Sequence, residues 1–218
     1  MLKAVIFDMD GVIVDSEPLH YKAYHEMYNE IGINITPALH DSFTGKATLP
    51  ICVELCNQFN LSKKPEELVG IKRKYFYHFF DNDPHFKLID GVFDLINHYH
   101  ENKLKLILAS SASISNIEKI FNRFDLDCYF NFKISGAELK ASKPHPEIFI
   151  NAVKASGFSK KECMVIEDST NGIKAAKGAD VFCVAYDSVH SRNQNYSLAN
   201  LVIKDFKEIR LPLISHFF

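Results

Sequence analysis

The stretch Ala4-Val-Ile-Phe-Asp-Met-Asp-Gly11 decides how the rest of the chain is interpreted. Residues 4–7 are apolar and β-branched at their centre, a pattern typical of a strand buried on both faces. Asp8 and Asp10 follow directly, and Gly11 lets the backbone turn. Because ligands bind at the carboxyl ends of the strands in an open α/β sheet, the two carboxylates are candidates for attack and proton transfer. An Asp-initiated turn is the plainer alternative.

A helical pattern follows the first strand and contains no strand signal of its own. The first helix is predicted to run from Ser16, a suitable N-cap, to Gly32, which is typical of a helix end. Helical spacing returns over residues 48–59 and 65–80. The segment between the first two helices, which contains Pro37, is predicted to be a linker.

Beyond residue 91, strands and helices alternate. The predicted strands cover residues 104–109, 130–134, 163–166, 181–185 and 201–203, and the predicted helices lie around residues 92–99, 114–124, 148–153 and 170–178. Such alternation implies right-handed crossovers and a mostly parallel sheet covered on both faces. We therefore predict a doubly wound α/β core, residues 1–15 and 87–218, with an inserted helical-bundle cap, residues 16–86.

The composition limits which binding partners and which cellular compartment we expect for the protein. Of the 218 residues, 47% are hydrophobic and 24% are charged, and the net charge of -2 with scattered basic residues argues against nucleic acid or an anionic membrane as a partner. No apolar run approaches the ~18 residues of a membrane span. The cysteines are odd in number and dispersed, and we expect them to be reduced core residues; they are Cys52, Cys56, Cys128, Cys163 and Cys183. We expect a cytoplasmic monomer.

Further polar residues lie where their neighbours are apolar. Ser110 follows Leu-Ile-Leu-Ala, and Glu167 and Asp168 follow Met-Val-Ile. Lys143 lies in a proline-containing loop that opens a helix. Each has a plain structural alternative: a helix cap for the serine, an acidic helix start for the pair, and a solvated loop residue for the lysine. In a parallel sheet, however, all of them converge on the crevice of the first strand.

This set of residues suits phosphoryl transfer. Four clustered carboxylates repel one another unless a hard cation lies among them, and an oxygen-rich site suits Mg²⁺. The cation and Lys143 would offset the charge of an anionic substrate. Ser110 and the backbone N–H groups of Ser111 and Ala112, at a helix N-terminus, would bind phosphate oxygens. One aspartate would form an aspartyl-phosphate, and the other would act as general acid and base.

Four segments resemble the motifs of the haloacid dehalogenase-like hydrolase superfamily, in the same order along the chain. They are Phe7-Asp-Met-Asp-Gly-Val-Ile-Val-Asp-Ser-Glu17, Ala109-Ser-Ser111, Ser142-Lys-Pro-His-Pro-Glu-Ile-Phe149 and Ile166-Glu-Asp-Ser-Thr-Asn-Gly172. The resemblance covers the whole chain and is closest to the branch of β-phosphoglucomutase and sugar-phosphate phosphatases. It implies an enzyme with a core like the Rossmann fold and a helical cap.

The resemblance also implies a role for each motif residue. Asp8 would be the nucleophile, and Asp10 the acid and base. The implied Mg²⁺ ligands are Asp8, the backbone carbonyl of Asp10, and Asp168, supported by Glu167. The implied phosphate-binding residues are Ser110, Ser111 and Lys143.

The implied substrate is a small phosphorylated metabolite, and two reactions fit the motifs. A sugar-phosphate phosphatase transfers the phosphoryl group to water, whereas a β-phosphoglucomutase transfers it to a sugar. The candidate substrate contacts in the cap are His20, Lys46, Thr48 and Lys74. Where the mutase has an arginine and a lysine, this chain has Thr48 and Thr44, so we favour the phosphatase. A surface histidine at residue 20 and a solvated basic helix face at Lys72, Arg73 and Lys74 are the plain alternatives.

Two remoter alternatives use similar residues. A phospho-accepting receiver domain is not an enzyme, has no helical insertion after its first strand and does not place its phosphorylated aspartate there. A haloacid dehalogenase attacks through an aspartate but needs neither a metal nor an acid and base at Asp10.

Overall fold

The computed structural model describes residues 1–43, 46–188 and 193–218. The chain forms two compact units. The first, which we call the α/β unit, comprises residues 1–15 and 88–218. The second, which we call the helical unit, comprises residues 16–87.

The described part of the helical unit contains helices and no strand. Its helices are α1 (Glu17–Ile31), α2 (Pro37–Asp41), α3 (Thr48–Gln58) and α4 (Pro65–Asn82). Both α1 and α3 pack against α4. Their apolar faces form a core of its own, which includes Met27, Ile51, Leu55 and Leu68.

Helix α2 lies in the segment that the sequence analysis took for a linker. Thr36 caps it, because its side-chain oxygen accepts a hydrogen bond from the Leu39 N–H group at 3.3 Å, and Pro37 occupies the first turn. A capping residue followed by proline is a helix-start signal, so this short helix was detectable from the sequence.

A parallel sheet forms the centre of the α/β unit. Its strands are β1 (Ala4–Phe7), β2 (Lys105–Ser110), β3 (Phe132–Ser135), β4 (Cys163–Glu167), β5 (Phe182–Tyr186) and β6 (Leu201–Ile203). Their order is β3-β2-β1-β4-β5-β6, and every neighbouring pair is parallel. Phe7 at the end of β1 lies beside Leu108 and Ile166. The residues that follow β1, β2 and β4 are therefore neighbours at one edge of the sheet.

Helices cover both faces of this sheet. They are α5 (Val92–Glu101), α6 (Ile114–Arg123), α7 (Glu147–Ser156) and α8 (Thr170–Gly178), and short 3-10 turns cover Gly136–Glu138, Lys160–Glu162, Phe206–Ile209 and Leu213–Phe217. Helices α7 and α8 pack on the face that carries Ala4 and Ile6. On the other face, the Phe7 ring contacts Tyr99 of α5. The prediction of a doubly wound parallel α/β core is confirmed.

Most element bounds agree with the prediction, and β3 is the clearest exception. It begins at Phe132, two residues later than predicted. The two residues before it make side-chain contacts instead of strand pairs. The Phe130 ring packs edge-on against Phe7 and Phe121. The Asn131 side chain accepts a hydrogen bond from Leu106 N at 3.0 Å.

The expectation that all cysteines are core residues is wrong for two of them. All five are free thiols, but Cys128 is exposed and Cys56 is half-buried. Cys128 lies in the turn after α6, and Cys56 lies where α3 reaches the edge of its core, with its sulfur 3.4 Å from the Lys63 carbonyl oxygen. Within the described residues, no helix is long and apolar enough to cross a membrane.

Candidate active site

The carboxyl ends of β1, β2 and β4 bring the predicted polar residues together. Ser110 is the last residue of β2, and Glu167 is the last residue of β4. Asp8 continues the pairing of β1, since its N–H group donates to the Ile166 carbonyl oxygen at 3.0 Å. These three residues and Asp168 are buried. A single edge of the sheet therefore holds side chains from three separate segments.

Lys143 connects these three strand ends. Its ammonium group donates to Asp8 Oδ1 at 2.6 Å, to Glu167 Oε1 at 2.8 Å and to the Ala109 carbonyl oxygen at 3.1 Å. A lysine has three N–H donors, and these contacts account for all of them. The residue is only 8% exposed, so the alternative of a solvated loop lysine is wrong.

Both carboxylate oxygens of Glu167 accept hydrogen bonds from neighbouring groups. Its Oε1 atom accepts from Lys143, and its Oε2 atom accepts from Asp168 N at 2.8 Å, Ser169 N at 2.8 Å and Ser169 Oγ at 3.0 Å. Four donors thus bond to this carboxylate, three of them at Oε2 and one at Oε1. A Cβ atom at Gly172 would overlap this carboxylate, so only glycine fits there. This arrangement favours a supporting role for Glu167.

Asp168 lies against the turn that carries Asp10. Gly11 in that turn has a φ of +82°, in the left-handed region, and a Cβ atom there would overlap the Asp168 carboxylate. Glycine is therefore required both by the backbone conformation and by the close approach of the side chain. Asp10 itself is half-buried.

The charges of the site are unbalanced. Burial raises the pKa of Asp8 to about 7 although Lys143 lowers it, because Glu167 and Asp10 raise it as well. Burial lowers the pKa of Lys143, but Asp8 and Glu167 together raise it above its ordinary value, so the ammonium group stays charged. One ammonium group thus faces several carboxylates.

The donor set fits a hard divalent cation. Oxygen atoms of Asp8, Glu167 and Asp168 lie within 4.8 Å of one another, and all three residues are buried. Oxygen-only ligands suit Mg²⁺, and a cation would correct the excess of negative charge. Since the Glu167 oxygens are already engaged, Asp8 and Asp168 are the better candidates for direct ligands.

The turn after β2 leads directly into helix α6. The helix begins at Ile114, as predicted, so Ser111 and Ala112 lie in the turn just before it. The Ala112 N–H group donates to Ser110 Oγ at 3.0 Å, which removes it from the set of donors available to a phosphate. Ser135 was not among the predicted residues; it is buried, and its hydroxyl donates to the Ala112 carbonyl oxygen at 2.7 Å. Its signal was a small polar residue at the end of β3.

In the helical unit, His20 and Lys72 form a pair. Lys72 Nζ lies 2.6 Å from His20 Nδ1, and the His20 ring stacks on Phe76 with centroids 4.6 Å apart. His20 is half-buried and Lys72 is buried, so the alternatives of a surface histidine and a solvated basic face are wrong for these two residues. Arg73 and Lys74 are exposed, as a solvated helix face requires.

The other predicted contacts of the helical unit have local partners. Lys46 Nζ forms an exposed ion pair with Glu54 at 3.0 Å. The Thr48 side chain hydrogen-bonds to the Tyr24 hydroxyl. Thr44 and Gly45, which the comparison with the mutase used, lie outside the described residues.

The fold and the site together define an α/β enzyme whose acidic site, held by a buried lysine, lies at the carboxyl ends of a parallel sheet. The chain belongs to the haloacid dehalogenase-like hydrolase family, whose model matches residues 5–186. It is therefore a hydrolase of that family and not a receiver domain.

Similar proteins include phosphatases and a mutase. The phosphorylated carbohydrates phosphatase of Thermotoga maritima is 31% identical over 201 residues, covering 90% of each chain. Hexitol phosphatase B of Escherichia coli is 27% identical, covering 94% of this chain and 93% of the relative. The crystal structure of β-phosphoglucomutase from Clostridium difficile is 26% identical with a TM-score of 0.83, covering 100% of this chain and 97% of that one.

Proposed function

We propose that this protein is a Mg²⁺-dependent phosphatase that hydrolyses a small sugar phosphate through an aspartyl-phosphate on Asp8. The observation that carries the proposal is the buried Lys143 ammonium group, which holds Asp8 and Glu167 beside a third carboxylate in an oxygen-rich cluster. The names of the similar phosphatases, which refer to phosphorylated carbohydrates and a hexitol, support the substrate class.

The proposed reaction has two displacements. An Asp8 carboxylate oxygen attacks phosphorus, the bond from phosphorus to the sugar oxygen breaks, and Asp10 gives its proton to that oxygen. Water then attacks the phosphorus of the aspartyl-phosphate, Asp10 takes its proton, and Asp8 is released together with inorganic phosphate. Lys143 keeps Asp8 oriented and offsets its charge. Mg²⁺, when bound by Asp8, Asp168 and the Asp10 carbonyl, would offset the charge of the substrate.

Ser110 and Ser111 complete the proposed phosphate site. Ser110 is fully buried at the end of β2, and Ser111 follows it in the turn before α6. A hydroxyl and a backbone N–H group at this place can hold the non-bridging oxygens of the phosphoryl group that is transferred. The dehalogenase alternative uses neither Asp10 nor a cation, so the acidic cluster favours the phosphatase.

The helical unit is the proposed cap. It is inserted between β1 and α5, directly after the segment that carries Asp8 and Asp10. A lid that excludes water is a common device of enzymes with reactive intermediates.

The free state of the five cysteines supports the proposed cytoplasmic location. We further propose that the protein is a monomer.

A β-phosphoglucomutase is the second candidate, because a solved structure with that activity in its name is similar over the whole chain. A mutase must bind a second phosphate, for which arginine is the best side chain. In this chain Lys46 is paired with Glu54, and Thr48 bonds to Tyr24. These local partners favour the phosphatase.

A substrate panel separates the two candidates. Purified protein with Mg²⁺ is incubated with hexose and pentose phosphates, and Asp8→Asn serves as the inactive control. Release of inorganic phosphate from several substrates is the expected result. Conversion of β-glucose 1-phosphate to glucose 6-phosphate, dependent on a bisphosphate primer and without phosphate release, would establish the mutase instead.

A further inference from the structure

The turn that carries Asp168 is held by a second segment of chain, which follows β5. Gln194 Oε1 accepts a hydrogen bond from Thr170 N at 2.7 Å, and Thr170 Oγ1 accepts one from Asn195 N at 2.7 Å. The two bonds run in opposite directions between the same two stretches. We call Thr170, Gln194 and Asn195 the clasp.

The clasp and Glu167 fix the backbone on the two sides of Asp168. On the strand side, Glu167 Oε2 accepts from the N–H groups of Asp168 and Ser169. On the helix side, the clasp holds Thr170, the first residue of α8. The first N–H groups of a helix have no partner within the helix, and the Gln194 side chain supplies one for Thr170. The backbone that positions the Asp168 carboxylate is therefore restrained at both ends.

The segment that supplies Gln194 is itself attached to the sheet. Tyr196 and Ala199 pack against the buried apolar cluster formed by the strands with α7 and α8. Asn200 N donates to the Cys183 carbonyl oxygen of β5 at 2.8 Å. Burial raises the pKa of Tyr196 and the Asp168 carboxylate raises it further, as expected for neighbouring groups. The clasp thus connects the Asp168 turn to a segment that is packed and hydrogen-bonded against the sheet.

We propose that Gln194 and Thr170 are positioning residues for the cation site, because the clasp keeps Asp168 in the orientation that binds Mg²⁺. The proposal rests on the proposed function, in which Asp168 is a ligand. Removal of a group that orients a metal ligand typically weakens metal binding about 10–100-fold. Since the clasp acts through the backbone rather than on the carboxylate, we expect the low end, roughly tenfold.

Calorimetric titration of Mg²⁺ into the metal-free full-length protein tests this directly. Gln194→Ala removes the acceptor for Thr170 N, and Thr170→Val removes the acceptor for Asn195 N; each should raise the Kd for Mg²⁺ about tenfold. Thr170→Ser keeps the hydroxyl and should bind Mg²⁺ like the wild type.

A matched control separates an effect on the position of Asp168 from a general loss of stability in the segment after β5. Asn200 Oδ1 accepts from Cys183 N at 2.9 Å and from Lys177 Nζ at 2.9 Å, so it also connects this segment to β5 and α8, but at positions other than the Asp168 turn. Asn200→Ala should lower the melting temperature and leave the Kd for Mg²⁺ unchanged. A Kd increase in Asn200→Ala as large as in Gln194→Ala would overturn the positioning role.

The remaining outcomes distinguish this inference from the proposed function. If the wild type binds Mg²⁺, Asp168→Asn weakens it, and both clasp variants bind like the wild type, then the clasp has no positioning role and the phosphatase proposal stands. If the wild type does not bind Mg²⁺, both proposals are overturned. Should Gln194→Ala fail to fold, the pair Thr170→Val and Thr170→Ser decides the question.

Discussion

The buried ammonium group of Lys143 donates to carboxylates from two different strands, and Asp168 lies within reach of the same cluster. Breaking a buried ion pair is strongly destabilising when it leaves a charge uncompensated. The same contacts keep Asp8 in one orientation for attack. At the scale of single residues, the charges that stabilise the site are thus the charges that the proposed reaction uses.

Asp8→Asn should retain the fold and lose phosphate release by several orders of magnitude, because the amide keeps the shape of the side chain but is no nucleophile. Asp10→Asn should reduce turnover by about 10²–10⁴-fold, the typical contribution of a positioned general acid and base. Phosphate release under saturating substrate and Mg²⁺ measures both effects, and circular dichroism checks the fold. Wild-type rates for Asp8→Asn would exclude the mechanism.

The metal-free protein should lose stability as the pH rises from about 4 to about 7. The pKa of Asp8 is raised to about 7, whereas an aspartate in the unfolded chain titrates near about 3.9. Between these values the folded state binds more protons than the unfolded state, so the free energy of unfolding falls with rising pH. The melting temperature in EDTA should therefore decrease by several degrees over this range.

Asp8→Asn is the control for this pH dependence. It removes the titrating group while preserving the side-chain volume, so its melting temperature should fall less over the same interval. Equal pH dependence in the wild type and in Asp8→Asn would show that other groups cause the change.

At the scale of secondary-structure elements, the site depends on how β4 passes into α8. Glu167 ends the strand, Ser169 caps the helix by accepting from Gly172 N at 3.0 Å, and Gly172 leaves room for the Glu167 carboxylate. Glu167 cannot move aside without losing its bonds to Lys143 and to the turn. This junction therefore tolerates no side chain at Gly172.

Two helical glycines should respond to alanine with opposite signs. Gly172→Ala forces a methyl group onto the locked Glu167 carboxylate, and overpacking of this kind typically costs about 1–3 kcal/mol. Gly70 lies in the exposed interior of α4 with no atom near its added Cβ, so Gly70→Ala should stabilise the protein by about 0.5–1 kcal/mol. Urea unfolding of the two variants measures both, and a neutral Gly172→Ala would contradict the locked geometry.

At the scale of the whole molecule, local sequence patterns were sufficient to predict the fold class. Apolar strands, helical spacing and their alternation predicted a parallel α/β sheet, and α8 and β6 have the predicted bounds. Placement at strand ends also predicted that Asp8, Ser110 and Glu167 would meet, because the carboxyl ends of neighbouring parallel strands share one edge.

These local patterns do not predict individual hydrogen bonds between residues that are distant in sequence. The strand-end pattern placed Lys143 in the same crevice as Asp8, but it does not show that the ammonium group donates to Asp8 Oδ1, 135 residues away. Nor does any pattern near Gln194 show that its side chain reaches Thr170, 24 residues away. The Ala112 N–H group was assigned to the phosphate because the sequence does not show that the Ser110 hydroxyl accepts its hydrogen bond. The His20–Lys72 contact likewise joins two helices whose separate patterns gave no sign of it.

Mg²⁺ should stabilise the whole folded protein, because the Asp8, Glu167 and Asp168 carboxylates are clustered only in the native state. A ligand at about 100 times its dissociation constant adds about 2.7 kcal/mol to the free energy of unfolding. For a chain of this size we expect the melting temperature to rise by roughly 5–10 °C, since about 1 kcal/mol corresponds to about 2–4 °C. Thermal melts in EDTA and in millimolar Mg²⁺ measure this rise. The rise in melting temperature should be smaller in Asp168→Ala. An equal melting temperature of the wild type in EDTA and in Mg²⁺ would contradict the cation site.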